Sequence, residues 1–118
     1  MKKILAGALL SVLMSSVAFA GDIGVSMASS DTFLTVLRKG IEKSAAEANQ
    51  PVQIEIADDD VQKQLSQIQN FIAAKVDAII VNAVDTSATA PMTKLANDAG
   101  IPIVYVNREP IDVDALGP

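Results

Sequence analysis

Short apolar segments alternate with longer amphipathic segments along most of the chain. The short ones are rich in β-branched residues, which favours strands, and they cover Ile23–Met27, Val52–Ile56, Ala78–Val81 and Ile101–Val106. The runs at Ala78–Val81 and Ile101–Val106 are almost continuously apolar. Such runs are typical of strands whose two faces are both covered, as in a parallel sheet.

The longer segments have an apolar residue every three or four positions, which predicts amphipathic helices. These segments cover residues 33–48, 61–72 and 88–99. In the first, the apolar face includes Phe33, Leu34 and Val36. Asp31 and Asp60 stand at the start of the first two helices, where a carboxylate can cap the free backbone N–H groups. Pro91 fits only the first turn of the third helix, so that helix is expected to begin near residues 88–90.

The elements therefore follow the order β-α-β-α-β-α-β. Strands separated by crossover helices pair in parallel, so we predict an α/β fold with a parallel sheet of about four strands and flanking helices. The expected strand order is second, first, third, fourth. Residues 21–118 would form this single domain, because no linker interrupts them.

Residues 1–20 have the pattern of an export signal. Lys2 and Lys3 precede an apolar run, and Ala18 and Ala20 have the spacing of a signal-peptidase site. The apolar run is shorter than the roughly 20 residues that span a bilayer. We therefore expect cleavage after Ala20, release into the periplasm and no stable membrane insertion afterwards. The alternative is an uncleaved membrane anchor.

Composition excludes several classes of function. The chain contains no cysteine and no histidine, so zinc sites, thiol chemistry and Ser-His-Asp triads lack their residues. Its formal net charge of −5 argues against a nucleic-acid partner, since phosphate binding needs a basic face. No glycine-rich nucleotide-binding motif is present. We accordingly predict a protein that is not an enzyme and has no cofactor and no metal.

Candidate binding residues follow the strands, because ligands of open α/β sheets lie beyond the carboxyl ends of the strands. Asp31 and Phe33 follow the first strand, and Asn107 and Arg108 follow the fourth. Three of these four residues have a structural alternative: Asp31 as a helix cap only, Phe33 as a core residue, and Arg108 as a surface charge paired with Glu109.

Other polar residues at the same strand ends are interpreted more simply. Asn82 and Asp85, after the third strand, are predicted to be turn and cap residues. Asp58–Asp60, after the second strand, resemble the acidic Mg²⁺ pocket of phosphoacceptor domains. No suitable lysine follows a later strand. We therefore predict a solvated loop that ends in a helix cap.

Several segments together resemble the N-terminal lobe of periplasmic sugar-binding proteins of the ribose, galactose and inositol type, which serve ABC importers. The matching segments are Gly24–Ser26, Asp31–Phe33, Leu37–Ile41, Ile80–Asp85 and Ile101–Pro110. The resemblance covers the whole mature chain, but family members have two lobes and about three times this length. It implies a partial lobe of the type I periplasmic-binding-protein fold.

The resemblance also implies roles for the candidate residues. Asp31 would accept hydrogen bonds from sugar hydroxyls, Phe33 would stack on the apolar face of the ring, and Asn107 and Arg108 would donate hydrogen bonds. The ligand would be a monosaccharide or an inositol-like cyclitol, and the partner an ABC importer permease. The alternative is a small flavodoxin-like signalling or enzyme domain.

Overall fold

A computed structural model describes residues 21–111 and Leu116. The predicted signal segment, residues 1–20, lies outside these described residues. Four strands and three α-helices alternate as predicted, and a short 3-10 helix, Thr86–Ala88, precedes the last helix. Their bounds are β1 Ile23–Met27, α1 Thr32–Glu47, β2 Val52–Ile56, α2 Val61–Ala73, β3 Ala78–Val81, α3 Thr89–Asp98 and β4 Ile103–Tyr105.

The strands form one parallel sheet in the order β2-β1-β3-β4. β1 is central and pairs with β2 from Ile23 opposite Val52 and with β3 from Ile23 opposite Ala78. β4 pairs only with β3. The predicted fold class and strand order are confirmed, and the carboxyl ends of all four strands lie at one edge of the sheet.

β4 is shorter than the predicted run of Ile101–Val106. The Ile101 N–H donates instead to the Ala96 carbonyl at the end of α3, at 2.9 Å. Pro102 follows and has no N–H to offer a neighbouring strand. Ladder pairing therefore begins only at Ile103.

One face of the sheet is covered by α2 and α3 together. Its apolar core contains Ile68, Phe71, Ile79, Val81 and Met92, all at most 3% exposed. The ring of Phe71 packs directly on the backbone of Gly24 in β1. A Cβ atom at Gly24 would lie 2.5 Å from this ring, so the close approach of α2 to β1 requires glycine there.

Among the described residues, the opposite face is covered by α1 alone. Val25, Met27 and Leu34 are buried there, and Ile80 is only partly buried. Val104 of β4 is 53% exposed. A mainly apolar groove of about 630 Å³ runs beside α1, lined by residues that include Val36, Gly40, Ser44, Ile80 and Val52.

The predicted apolar face of α1 is therefore only partly correct. Leu34 and Ala45 are buried, but Phe33 is 63% and Val36 66% exposed. At 100° per residue, Val36 lies about 140° and Phe33 about 80° around the helix from Ile41. The helix itself therefore directs both side chains away from the middle of the apolar stripe.

The helix ends follow the sequence signals. The Asp60 carboxylate accepts hydrogen bonds from the N–H groups of Gln62 and Lys63, so it caps α2 as predicted. α3 begins at Thr89, which places Pro91 in its first turn as expected. Asn49 and Gly100 take positive φ angles of 54° and 72° just after α1 and α3. Both residue types tolerate this conformation. Within the described residues, none of the helices has the length and hydrophobicity needed to cross a membrane.

Candidate functional site

The loops after β1, β3 and β4 lie side by side at the carboxyl edge of the sheet. Backbone hydrogen bonds continue the sheet into this region: the Asn82 N–H donates to Ser26 at 2.8 Å, and the Val106 N–H donates to Val81 at 2.9 Å. The loop after β3 therefore stands between the other two. The loop after β2 lies on the far side of β1.

Asp31 caps α1 in the loop after β1. One carboxylate oxygen accepts from the Leu34 N–H at 2.8 Å, and the other accepts from the Ser29 hydroxyl at 3.1 Å. The side chain is exposed. The capping role considered from the sequence is thus confirmed, and the exposed carboxylate keeps lone pairs that point to solvent.

Phe33 stands in the first turn of α1 and is 63% exposed. The alternative of a core residue is therefore wrong within the described structure. An aromatic ring that is not used for packing offers an apolar surface of the kind that covers the C–H face of a sugar.

Asn107 forms a tight turn directly after β4. Its φ angle is 68°, and the Arg108 N–H donates across it to the Val106 carbonyl at 2.8 Å. This three-residue turn with a positive central φ is a sparsely populated conformation, and asparagine tolerates it better than most residues. The turn exposes the Asn107 side chain at the carboxyl edge.

Arg108 bends back over the loop after β3. One terminal guanidinium nitrogen donates to the carbonyls of Ala83 and Val84 at 2.8 and 3.1 Å. This anchors the side chain without Glu109, so the proposed surface pairing is not what holds it. Because a guanidinium has five N–H groups, the remaining donors stay available. A depression of about 560 Å³ beside it is lined in part by Tyr105, Asn107 and Leu116.

Asn82 differs from its predicted role as a turn or cap residue. It is completely buried, and its side chain bonds to two neighbouring loops. Its Oδ1 accepts from the Ala28 N–H at 3.1 Å, and its Nδ2 donates to the Val106 carbonyl at 3.4 Å. The sequence interpretation failed because a polar residue after a strand looks the same whether it faces solvent or a neighbouring loop.

A buried polar network behind the site was also missed from the sequence. Gln64 and Gln67, both on the inner face of α2, bond to the Ser26 hydroxyl at 2.9 and 2.7 Å. Gln64 additionally donates to the Asn82 carbonyl at 3.0 Å and accepts from the Val84 N–H at 2.9 Å. The available signal was the spacing of Gln64, Gln67 and Phe71 on one helical face beside Ile68.

Asp58–Asp60 form the predicted solvated loop. Asp58 pairs with Lys63, whose pKa is raised chiefly by that hydrogen bond, and Asp60 caps α2. After β3, Asp85 caps the 3-10 helix as predicted, and hydrogen bonds from Ser87 lower its pKa. Among the residues that the structure describes, no group of three acidic side chains converges to hold a metal ion.

Comparison with known proteins places this arrangement in a family. The sequence pattern described as "Periplasmic binding protein domain" matches residues 23–116, which is most of the chain. The chain belongs to the periplasmic binding protein family. The resemblance identified from the sequence is thereby confirmed.

Curated relatives of this periplasmic binding protein are named as binding proteins. A Rhizobium meliloti protein, named provisionally as a rhizopine-binding protein, is 58% identical over 118 residues, which cover 98% of this chain and 38% of the relative. A ribose import binding protein of Bacillus subtilis is 37% identical over 87 residues, covering 73% of this chain and 28% of the relative. The chain thus spans well under half the length of these relatives.

Solved structures of the family agree with the fold. An ABC transporter solute-binding protein from Bacillus halodurans, solved with bound myo-inositol, superposes with a TM-score of 0.77 at 39% identity, over 81% of this chain and 34% of that one. A periplasmic solute-binding protein from Actinobacillus succinogenes, solved with bound D-allose, gives a TM-score of 0.74 at 30% identity, over 80% and 34% of the two chains. The fold is that of type I periplasmic binding proteins.

Proposed function

We propose that the chain forms part of the N-terminal lobe of a solute-binding protein that captures a monosaccharide or an inositol-like cyclitol for an ABC importer. The observation that carries this proposal is the exposed ring of Phe33 at the carboxyl edge, where Arg108 also emerges with unused donors. The relatives are named for ribose and rhizopine, and the solved relatives hold myo-inositol and D-allose. All of these ligands carry several hydroxyl groups.

Four side chains would form this lobe's part of the site, each with its own role. Phe33 covers an apolar ring face, and Asp31 accepts from hydroxyls with the lone pairs left by its cap. Asn107 and Arg108 donate to hydroxyl oxygens from the other side of the β3 loop. Because carbohydrate hydroxyls are both donors and acceptors, a mixed set of carboxylate, amide and guanidinium groups suits them. No step of this function requires bond cleavage.

The location of this activity is part of the proposal. The family is periplasmic, and we infer that residues 1–20 direct export and are removed after Ala20. The folded domain includes Gly21, whose carbonyl accepts a hydrogen bond from the Gln50 side chain. N-terminal sequencing of the exported protein should begin at Gly21. A product that retains Met1, or stays in the cytoplasm, would contradict this location.

Binding can be tested by nuclear magnetic resonance on the isotopically labelled chain. Titration with myo-inositol and with D-ribose should shift the amide signals of residues 28–33, 82–86 and 107–109. Affinity should be weak, since one lobe covers only part of a ligand that the family encloses by lobe closure. Shifts confined to residues 57–60 would place the ligand elsewhere and contradict the proposed site.

Substitutions sharpen the same titration. Phe33→Ala should weaken binding by roughly 1–3 kcal/mol through lost stacking and buried area. Asp31→Asn keeps an oxygen for the cap of α1 and removes the charge, so a loss of roughly 1–2 kcal/mol would reflect the ligand contact alone. Asp59→Ala, in the loop beyond β2, is the matched control and should leave affinity unchanged.

A further inference from the structure

A single side chain connects the two loops that carry the candidate binding residues. β1 and β4 are not neighbours in the sheet, because β3 lies between them. Asn82 stands at the end of β3, and its carboxamide contacts Ala28 on one side and Val106 on the other. Ala28 begins the loop that carries Asp31 and leads into the first turn of α1 at Phe33, and Val106 immediately precedes Asn107 and Arg108.

Asn82 is itself held in place from several directions. Its backbone N–H donates to Ser26 at 2.8 Å, and its carbonyl accepts from Gln64 at 3.0 Å. Gln64 in turn accepts from the Val84 N–H. With no exposed surface, the Asn82 side chain has no route to an alternative partner in water.

The chemistry of the two contacts requires an amide. Ala28 offers an N–H, which needs an acceptor, and Val106 offers a carbonyl, which needs a donor. A carboxamide supplies both from one planar group, whereas a carboxylate at pH 7 supplies acceptors only. Asparagine is therefore the residue of this size that satisfies both loops at once.

We infer that Asn82 is a positioning residue that fixes the separation of the β1 and β4 loops, and with it the spacing of Phe33 and Arg108 across the site. The link to ligand binding rests on the proposed function. Directional hydrogen bonds to a rigid ring tolerate errors of only about 0.5 Å in the placement of the binding groups. A change in loop separation would therefore weaken binding even though Asn82 does not touch the ligand.

Loop separation can be measured directly because the chain has no cysteine. Nitroxide labels at Ser30→Cys and Glu109→Cys, both exposed positions, report the distance between the two loops by double electron–electron resonance. We expect a narrow distance distribution in the otherwise unchanged chain. Adding Asn82→Asp removes the donor to Val106 and should broaden or shift that distribution.

Gln67→Met is the matched control. Gln67 is another buried polar residue of the same network, but its bonds go to the Ser26 hydroxyl and to the Ile56 carbonyl at 3.0 Å, not to the loops after β1 and β4. Its loss should lower stability while leaving the distribution narrow. An unchanged distribution in Asn82→Asp, or equal broadening in both variants, would overturn the inference.

The ligand titration separates this inference from the proposed function. With myo-inositol and D-ribose as probes, Asn82→Asp should bind about 10- to 100-fold more weakly than Gln67→Met. Equal affinities would overturn the positioning role while the proposed function stands. If the unchanged chain binds neither probe, the proposed function fails, and the label distances alone decide whether Asn82 fixes the loops.

A measurement on the unchanged chain covers the case in which Asn82→Asp does not fold. The Ala28 N–H has Asn82 Oδ1 as its acceptor, so its hydrogen exchange should be as slow as that of β1 amides such as Val25. Exchange as fast as that of exposed loop amides would mean that the contact does not persist, and the inference would be wrong.

Discussion

The two faces of the sheet differ in how completely helices cover them. On the face of α2 and α3, Ile79 is fully buried, and a polar network fills the space beside the apolar core. On the face of α1, the neighbouring residue Ile80 is only partly buried, and Val104 is half exposed. The same strands therefore bury their side chains more completely on the side of α2 and α3 than on the side of α1.

This difference shows that strand sequence alone does not determine burial. Residues 79–81 are a continuous apolar run, and the run gives no sign of which side will be covered. Coverage depends on how many helices reach each face. Two helices lie on one side, and α1 alone lies on the other among the described residues.

The difference between the two faces should have its largest effect on stability in β3. Ile79→Ala removes a fully buried side chain and should reduce the free energy of unfolding by about 2–5 kcal/mol. Ile80→Ala is the matched control: the same substitution one residue away, on the face of α1, should cost about 1 kcal/mol. Urea denaturation followed by circular dichroism measures both. Equal losses would mean that the two faces are equally well packed.

Alanine substitutions at Gly24 and Gly40 should have smaller effects on stability, and of opposite sign. Gly24→Ala places a methyl group 2.5 Å from the Phe71 ring and should destabilise the domain by about 1–3 kcal/mol. Apart from the nearby backbone of α1 itself, none of the described residues places a heavy atom within 4 Å of the corresponding position at Gly40. Gly40→Ala should stabilise the domain by about 0.5–1 kcal/mol, since alanine favours a helix interior. Thermal unfolding of both variants checks this, and a stabilised Gly24→Ala would disprove the close packing of α2 on β1.

The smallest expected effect concerns the titration of Tyr105, whose phenol should differ in pKa between the folded and the unfolded protein. The phenol donates to the Thr89 carbonyl at 3.2 Å and accepts from the Thr93 hydroxyl at 2.7 Å. Burial raises the pKa of this phenol above 10.0, and the bond to Thr93 acts against that shift. The folded state thus holds the proton more tightly than the unfolded state. Its contribution to stability is complete below pH 10 and is lost as the pH rises through the folded pKa.

The chain contains one tyrosine and no tryptophan, so phenolate absorbance reports Tyr105 without interference. The midpoint in the folded protein should lie above that in urea. A midpoint at or below the unfolded value would show that the phenol is not buried against α3. Tyr105→Phe should abolish the corresponding part of the alkaline stability loss.

Most of the fold follows from the sequence because periodicity and caps are local. The bounds of β1, β2 and β3 and the caps at Asp31 and Asp60 match the prediction. The exposure of Val36 is also local, because this residue lies about 200° around α1 from the buried Leu34. The burial of Asn82 was missed because it depends on loops that are distant in sequence and close around it.

In the candidate site, too, some features could be predicted from the local sequence and others depend on residues that are distant in sequence. The sequence indicates which residues follow each strand, and the parallel order brings their loops to one edge. It does not indicate that Arg108 would be anchored on the carbonyls of Ala83 and Val84, because those partners lie on another strand's loop. The roles of Asp31, Phe33, Asn107 and Arg108 in binding stay predictions.

The central position of β1 has a consequence for the timing of folding. β1 is the first strand to be synthesised, yet it needs partners on both sides, and Ile23 pairs with Val52 and with Ala78. At a synthesis rate of about 5–20 residues per second, β1 waits on the order of 3–10 s after its own synthesis before β3 has been made. During this interval its apolar side chains lack the contacts that β3 later supplies. The newly made chain is therefore most vulnerable to aggregation before β3 emerges, and a chaperone or export factor that binds the first 50 residues would act in this period.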